Sequence, residues 1–293
     1  MSNNLFQLPD RRKLGYALYG PDDGQPIFYF HGTPSSRLEP LVINAYNKDI
    51  EELLQKFHLR LVAVDRPGIG LSDFNPAGDF QSFARDVYNL ARHLQILTAK
   101  VLCWSGGGPF ALAFAFYFRQ LIKTVYIITG FTQSFGDPNI FRHMHANKYY
   151  FMAAKKFPWL LRAFMNWAAK KPVKKPFPKF LSGLPSVDYN LLADAQKIKH
   201  FTEVTIHEAC KQGSRGLVYE AALYFKHPGY DLSRITQPVH FWWGYHDKAI
   251  TKIHAQELEK QVSNSIMHYK ENEGHLSIYI NCMEEVLETI EKY

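Results

Sequence analysis

Three short runs of this chain belong entirely to the hydrophobic set: Ile27–Phe30 (IFYF), Val101–Trp104 (VLCW) and Val125–Ile128 (VYII). Leu59–Val64 (LRLVAV) and Val239–Trp243 (VHFWW) each admit one polar residue. A strand without apolar–polar alternation is buried on both faces, and few architectures offer that. Segments with helical spacing separate these runs. Phe83, Val87, Leu90 and Leu94 mark one face of a helix within Phe80–Leu97, and Pro109–Phe118, Ile253–Val262 and Leu276–Ile290 read as further helices. Leu14–Tyr19 and Ser265–Tyr269 complete the predicted strands. The alternation predicts an α/β fold: a mostly parallel central sheet with helices on both faces.

The pattern breaks once. Residues 132–231 contain no convincing strand, and Pro158, Pro172, Pro176, Pro178 and Pro185 cut them into short helical pieces. The expected organisation is a core of residues 1–131 and 232–293, with a helical insertion (132–231) between two late strands. The insertion also differs in charge. Between Asp137 and Asp188 there is no acidic residue but ten Lys and Arg, more than the whole chain's net charge of +7. Aromatics interleave with these charges, and KFPWLLRAFMNWAAKK reads as an amphipathic helix whose apolar residues include Trp159, Phe164 and Trp167. The expectation is that the aromatics pack on the main domain and line a pocket while the lysines face water. The alternatives are contact with an anionic membrane surface and attraction of an anionic substrate. Nucleic-acid binding is not expected, since no motif for it is present.

The chain has 293 residues, 46% of them hydrophobic, which suits one large folded domain with an insertion and excludes a disordered chain. Cys103, Cys210 and Cys282 are odd in number, widely spaced and without a CxxC pair, so neither a disulfide framework nor a zinc site is suggested. The N-terminus reads as no signal peptide, and no apolar stretch approaches the ~18 residues that cross a bilayer, so a cytoplasmic protein is expected.

The chemistry concentrates where strands end. In Cys103-Trp104-Ser105-Gly106-Gly107 a serine stands between a buried strand and a buried helix, among residues with little or no side chain. A sharp strand–helix turn admits only small neighbours and pushes the central hydroxyl out at a helix N-terminus, where free N–H groups stabilise an anion. Alone, the stretch is equally a plain turn. A phosphate loop is disfavoured, because no Lys follows and Pro109 opens the helix. His31-Gly32-Thr33-Pro34 follows a strand, and its Thr33 N–H can face the same point, Pro34 having none. Asp247 in GYHD stands just past a strand end, as an orienting acid would, although a helix cap would look the same. His275 in EGHL precedes the last helix, and one of thirteen histidines means little by itself. Together, the order oxyanion loop, serine turn, acid loop, histidine loop is what one fold demands.

On these motifs — FHGTPSS, VDRPGIGLSD, CWSGGGP, GYHDKAI and EGHLSIY, spread over residues 10–131 and 232–293 — the chain resembles α/β-hydrolase fold proteins with a helical cap. The glycine-rich DRPGIGLS turn gets no chemical role. The resemblance implies a serine hydrolase (EC 3) that cleaves a small carboxylic ester-like substrate without metal or organic cofactor. Ser105 would be the nucleophile, His275 the general base and Asp247 its orienting acid, and the N–H groups of Thr33 and Gly106 would form the oxyanion hole. Cys103 stands where the family's elbow has glycine. Serine rather than aspartate at the elbow argues against dehalogenases and epoxide hydrolases, and CWSGG differs from the GGSWG of proline iminopeptidases and the GHSMG type of common lipases and thioesterases. C–C bond hydrolases and perhydrolases share the triad and stay open, as does a ligand-sensing or partner-binding protein without turnover. Trp104 either walls an acyl pocket or packs ordinarily. The oligomeric state is not legible.

Overall fold

The computed structural model describes residues 2–131, 135–171 and 183–293. Its centre is one eight-stranded sheet in the order β1-β2-β4-β3-β5-β6-β7-β8. The strands are β1 (Ser2–Gln7), β2 (Lys13–Tyr19), β3 (Gln25–Phe30), β4 (Leu59–Val64), β5 (Ala99–Trp104), β6 (Ile122–Ile128), β7 (Val239–Gly244) and β8 (Ser265–Lys270). β1 and β2 run antiparallel at one edge, and β3 to β8 pair in parallel.

The strand pleat sorts side chains into two cores. Phe28, Phe30, Val101, Cys103, Val125 and Ile127 face one way. Ile27, Tyr29, Leu102, Trp104, Tyr126 and Ile128 face the other. The first face is covered by α2 (Phe80–His93) and α3 (Gly108–Tyr117), the second by α1 (Ile50–Lys56) and the C-terminal helix at His275–Lys292. α2 starts at a reciprocal cap: the Asp79 carboxylate accepts the Ser82 N–H (2.7 Å) and the Ser82 hydroxyl accepts the Asp79 N–H (2.8 Å). α3 (GPFALAFAFY) is apolar all round, as a helix enclosed on every side should be. Its Phe114 meets Phe28 and Phe30 at 5.4 and 5.8 Å between ring centroids. Truncating such a ring to alanine costs ~3–5 kcal/mol.

Between β6 and β7 the described residues form α4 (Pro138–Phe141), α5 (Asn147–Lys156), α6 (Pro158–Ala168), α7 (Ser186–Leu192), α8 (Ala195–Thr202) and α9 (Arg215–Leu223), with no strand among them. Pro158 separates α5 from α6 as its missing N–H requires. Pro172, Pro176 and Pro178 lie outside the described residues. After β7 come α10 (Lys252–Gln261), β8 and α11 (His275–Lys292).

The sequence reading missed three elements. β1 (SNNLFQ) is a polar edge strand with only Leu5 and Phe6 as signals. The 3-10 turns at Glu39–Tyr46 and the helix α1 fill the connection from β3 to β4. The packing of the aromatic helix also differs from expectation. Leu161 and Met165 of α6 are buried, but Trp159, Phe164 and Trp167 are 70%, 56% and 55% exposed. One helix face fits against α5 and α9, and the bulky aromatics occupy the other. Among the described residues no helix is long and apolar enough to cross a membrane.

Candidate active site

β5 ends at Trp104, and Ser105 takes φ +50°, a left-handed conformation that few non-glycine residues adopt. A single 3-10 turn (Ser105–Gly107) leads directly into α3. The crowding behind this bend explains its glycines. A Cβ on Gly107 would strike the Phe30 carbonyl and come within 2.9 Å of the Cys103 Cβ, and one on Gly106 would strike the Thr33 side chain. Cys103 thus fits where the family carries glycine because its neighbour at 107 lacks a side chain.

Tertiary folding brings the three distant residues together. The Asp247 carboxylate accepts the His275 Nδ1–H at 2.7 Å, which leaves Nε2 to accept the Ser105 hydroxyl at 3.0 Å. Asp247 is itself held by the N–H groups of Ala249 (2.7 Å) and Ile250 (2.8 Å). Burial would lower the His275 pKa. The Asp247 carboxylate outweighs it through charge and hydrogen bond, with the Asp188 and Glu39 charges adding to it, so the pKa is raised above its ordinary value. Ser105 is 5% exposed.

Trp104 backs the histidine rather than lining an open pocket. Its indole N–H donates to the His275 carbonyl (3.2 Å), and its ring stacks on His275 and Tyr279 at 5.3 and 4.6 Å.

The loop after β3 lies over Gly106. The Gly32 N–H is already taken, donating to both oxygens of buried Glu39 at 2.8 and 2.9 Å. Burial pushes the Glu39 pKa up to about 7, against hydrogen bonds from Ser35, Tyr29 and Gly32. Among the described residues the Thr33 N–H donates to no protein acceptor. The Gly106 N–H opens its turn, where N–H groups have no acceptor within the helix. Both donors are thus unspent near Ser105. His31 does not take part: it is fully buried, and burial together with the Arg66 charge pushes its pKa far down, so it stays neutral.

Four side chains shape the site that sequence reasoning did not single out. Arg66, from the DRPGIG turn, is fully buried and pairs with Glu220 of α9. The same guanidinium donates to the His31 carbonyl, the Gly32 carbonyl (2.8 Å) and the Thr33 hydroxyl (2.9 Å). Glu220 also accepts the Thr33 hydroxyl proton. Tyr224, one turn on, donates to the Gly106 carbonyl at 2.7 Å and lies 3.0 Å from Thr33 Oγ1. Asp188 of α7 is buried at the start of α11, where it accepts the N–H groups of His275 (2.9 Å), Leu276 (3.1 Å) and Ser277 (2.8 Å). A carboxylate at a helix N-terminus satisfies otherwise unpaired donors and opposes the helix dipole. Here it also sets where the imidazole begins. No local signal marks these residues, whose partners in the site loops lie 33 to 191 positions away.

The profile of the alpha/beta hydrolase fold family matches residues 25–281. The chain is 23% identical over 268 residues to the Bacillus subtilis (strain 168) protein named uncharacterized hydrolase YcgS, covering 91% of this chain and 89% of that one. A thermophilic esterase from Thermogutta terrifontis superimposes with TM-score 0.66 at 17% identity, covering 100% of this chain and 97% of its own. An esterase from Exiguobacterium antarcticum does so with TM-score 0.67 at 18% identity, covering 100% and 99%. The profile spans the sheet from β3 to the last helix and takes in the serine turn, the acid loop and the histidine: this chain belongs to the α/β hydrolase fold family.

Proposed function

We propose that this protein is a serine hydrolase that cleaves a carboxylic ester through an acyl-enzyme. One observation carries the reading: Ser105, on its strained bend, hydrogen-bonds to an imidazole whose other nitrogen is held by a buried carboxylate. In this reading Ser105 Oγ attacks the ester carbonyl while His275 Nε2 takes its proton. Asp247 holds the tautomer and stabilises the imidazolium. The oxyanion forms between the N–H groups of Thr33 and Gly106, each donor worth ~3 kcal/mol of transition-state stabilisation. His275 then protonates the leaving alcohol, and water repeats the sequence on the acyl group to release the acid. Residues 132–231 act as a cap over Ser105. The contacts of Glu220, Tyr224 and Asp188 with the catalytic loops support this role.

The test is labelling with a fluorophosphonate probe, with the adduct located by mass spectrometry, followed by a panel of p-nitrophenyl esters, thioesters and amides. The expected result is an adduct on Ser105 that is lost in His275→Ala, with esters the best substrates. Folded wild-type protein without an adduct would overturn the assignment in favour of ligand binding without turnover.

A further inference from the structure

The outer face of α6 serves no purpose at the site above, and its chemistry is unusual for a surface. Phe157, Trp159, Leu160, Phe164 and Trp167 are each more than half exposed. At 100° per residue, positions 159, 160, 164 and 167 fall within an arc of about 140°. Leu161 and Met165, on the opposite side, seat the helix against the fold. The seat is firm: Asn166 accepts the Ser214 N–H (2.8 Å), and the Ser214 hydroxyl donates to the Arg162 carbonyl (3.1 Å). An apolar arc of this kind is costly in water unless something covers it.

The charges around the arc say what covers it. Lys155 and Lys156 precede α6, Arg162 lies on it, and Lys170 and Lys171 follow it. Among the described residues none of these five pairs with a carboxylate. A second copy of the same face would oppose like charge with like. A single-stranded nucleic acid would meet the cations but leave Leu160 without a partner. A cationic rim around an apolar centre with two indoles matches a surface whose headgroups are anionic and whose interior is hydrocarbon. We propose that α6 docks this protein on anionic lipid bilayers, lying parallel to the surface with Trp159, Leu160, Phe164 and Trp167 in the headgroup–acyl boundary.

The experiment is flotation of the full chain with two vesicle preparations, one of phosphatidylcholine alone and one with roughly one third phosphatidylserine, chosen because each basic residue adds to attraction by anionic lipid. Binding to the anionic vesicles only, weakened by salt, is expected. Two variants separate the contributions: Trp159→Ser with Phe164→Ser and Trp167→Ser, and Lys155→Glu with Lys156→Glu, Lys170→Glu and Lys171→Glu. Each should lower the partition coefficient at least about tenfold. Both alter exposed side chains, and circular dichroism checks that they fold. Quenching by brominated lipid should reach Trp159 and Trp167, whereas Trp104, Trp242 and Trp243 are buried and stay unquenched. Four results overturn the proposal: no flotation; flotation that the aromatic variant retains in full; tighter binding of single-stranded RNA than of anionic vesicles, lost in the aromatic variant; or a concentration-dependent dimer that the aromatic variant abolishes.

Discussion

The helical stretch between β6 and β7 has two sides of opposite character. Its inner side sends Asp188, Glu220 and Tyr224 into the loops around Ser105 and His275, and all three are buried with their polar atoms bonded. Its outer side, on α6, carries exposed aromatics and cations that bond to no carboxylate among the described residues. The comparison shows that charge count says little about where charge matters. The ten basic residues of residues 138–187 supply all the formal charge of that interval, yet the two carboxylates that reach the site lie beyond its end. A buried charge must find a partner within hydrogen-bond distance, whereas an exposed one is served by water.

The largest effect should come from the inner side. Glu220→Ala strands the Arg66 guanidinium, which is fully buried and within reach of the Thr33 loop. Removing one partner of a buried pair costs ~3–5 kcal/mol, to be read from denaturant unfolding. Replacing Arg66 and Glu220 together by Met and Leu should recover much of that stability while leaving the ester rate low, since the Thr33 loop loses its anchor. If stability recovers and the rate recovers with it, the pair has no role in positioning that loop.

Asp188→Asn should come next. It keeps the shape but weakens three helix-terminal bonds, with a stability loss of ~1–2 kcal/mol by thermal unfolding. Its second signature is a pH profile. In the proposed mechanism His275 must be neutral to accept the Ser105 proton, so kcat/KM should rise with pH through the His275 pKa, which lies above the ordinary histidine value. The Asp188 charge is one of the causes that raise it. Removing that charge lowers the pKa, so the rising limb should move to lower pH. A loss of stability with an unmoved limb would make Asp188 a helix cap and nothing more.

The smallest effect should be on the outer side. Trp159→Ser should change stability by no more than ~0.5 kcal/mol, because the side chain already meets water. A loss above ~2 kcal/mol would mean that the aromatic side is packed after all and that the two sides are alike.

Much of this arrangement could be read from residues close together in the chain. IFYF, VLCW and VYII announce two-faced burial by composition alone, and they are β3, β5 and β6. The turn at Ser105 is legible because a tight strand–helix bend tolerates only small neighbours, which is a constraint on adjacent residues. Ser105, Asp247 and His275 were legible as a set through their order and their positions at strand ends. Those positions follow from the parallel sheet, whose C-terminal ends gather on one edge. Arg66 was passed over because its turn, DRPGIG, reads as a bend whether or not its arginine is buried.

The features legible along the chain are therefore short-range: strand and helix periods, the glycine-bounded bend and the order of the site loops. These depend on backbone sterics and on a 2- or 3.6-residue period, both set by near neighbours. The assembled fold alone brings Asp188, Glu39 and Glu220 to the site, sets Trp104 behind His275 and turns one side of α6 to water. Each of those depends on which surfaces meet after the chain has closed on itself. Asp188 holding the start of α11, 87 residues away, has no trace in the residues beside it.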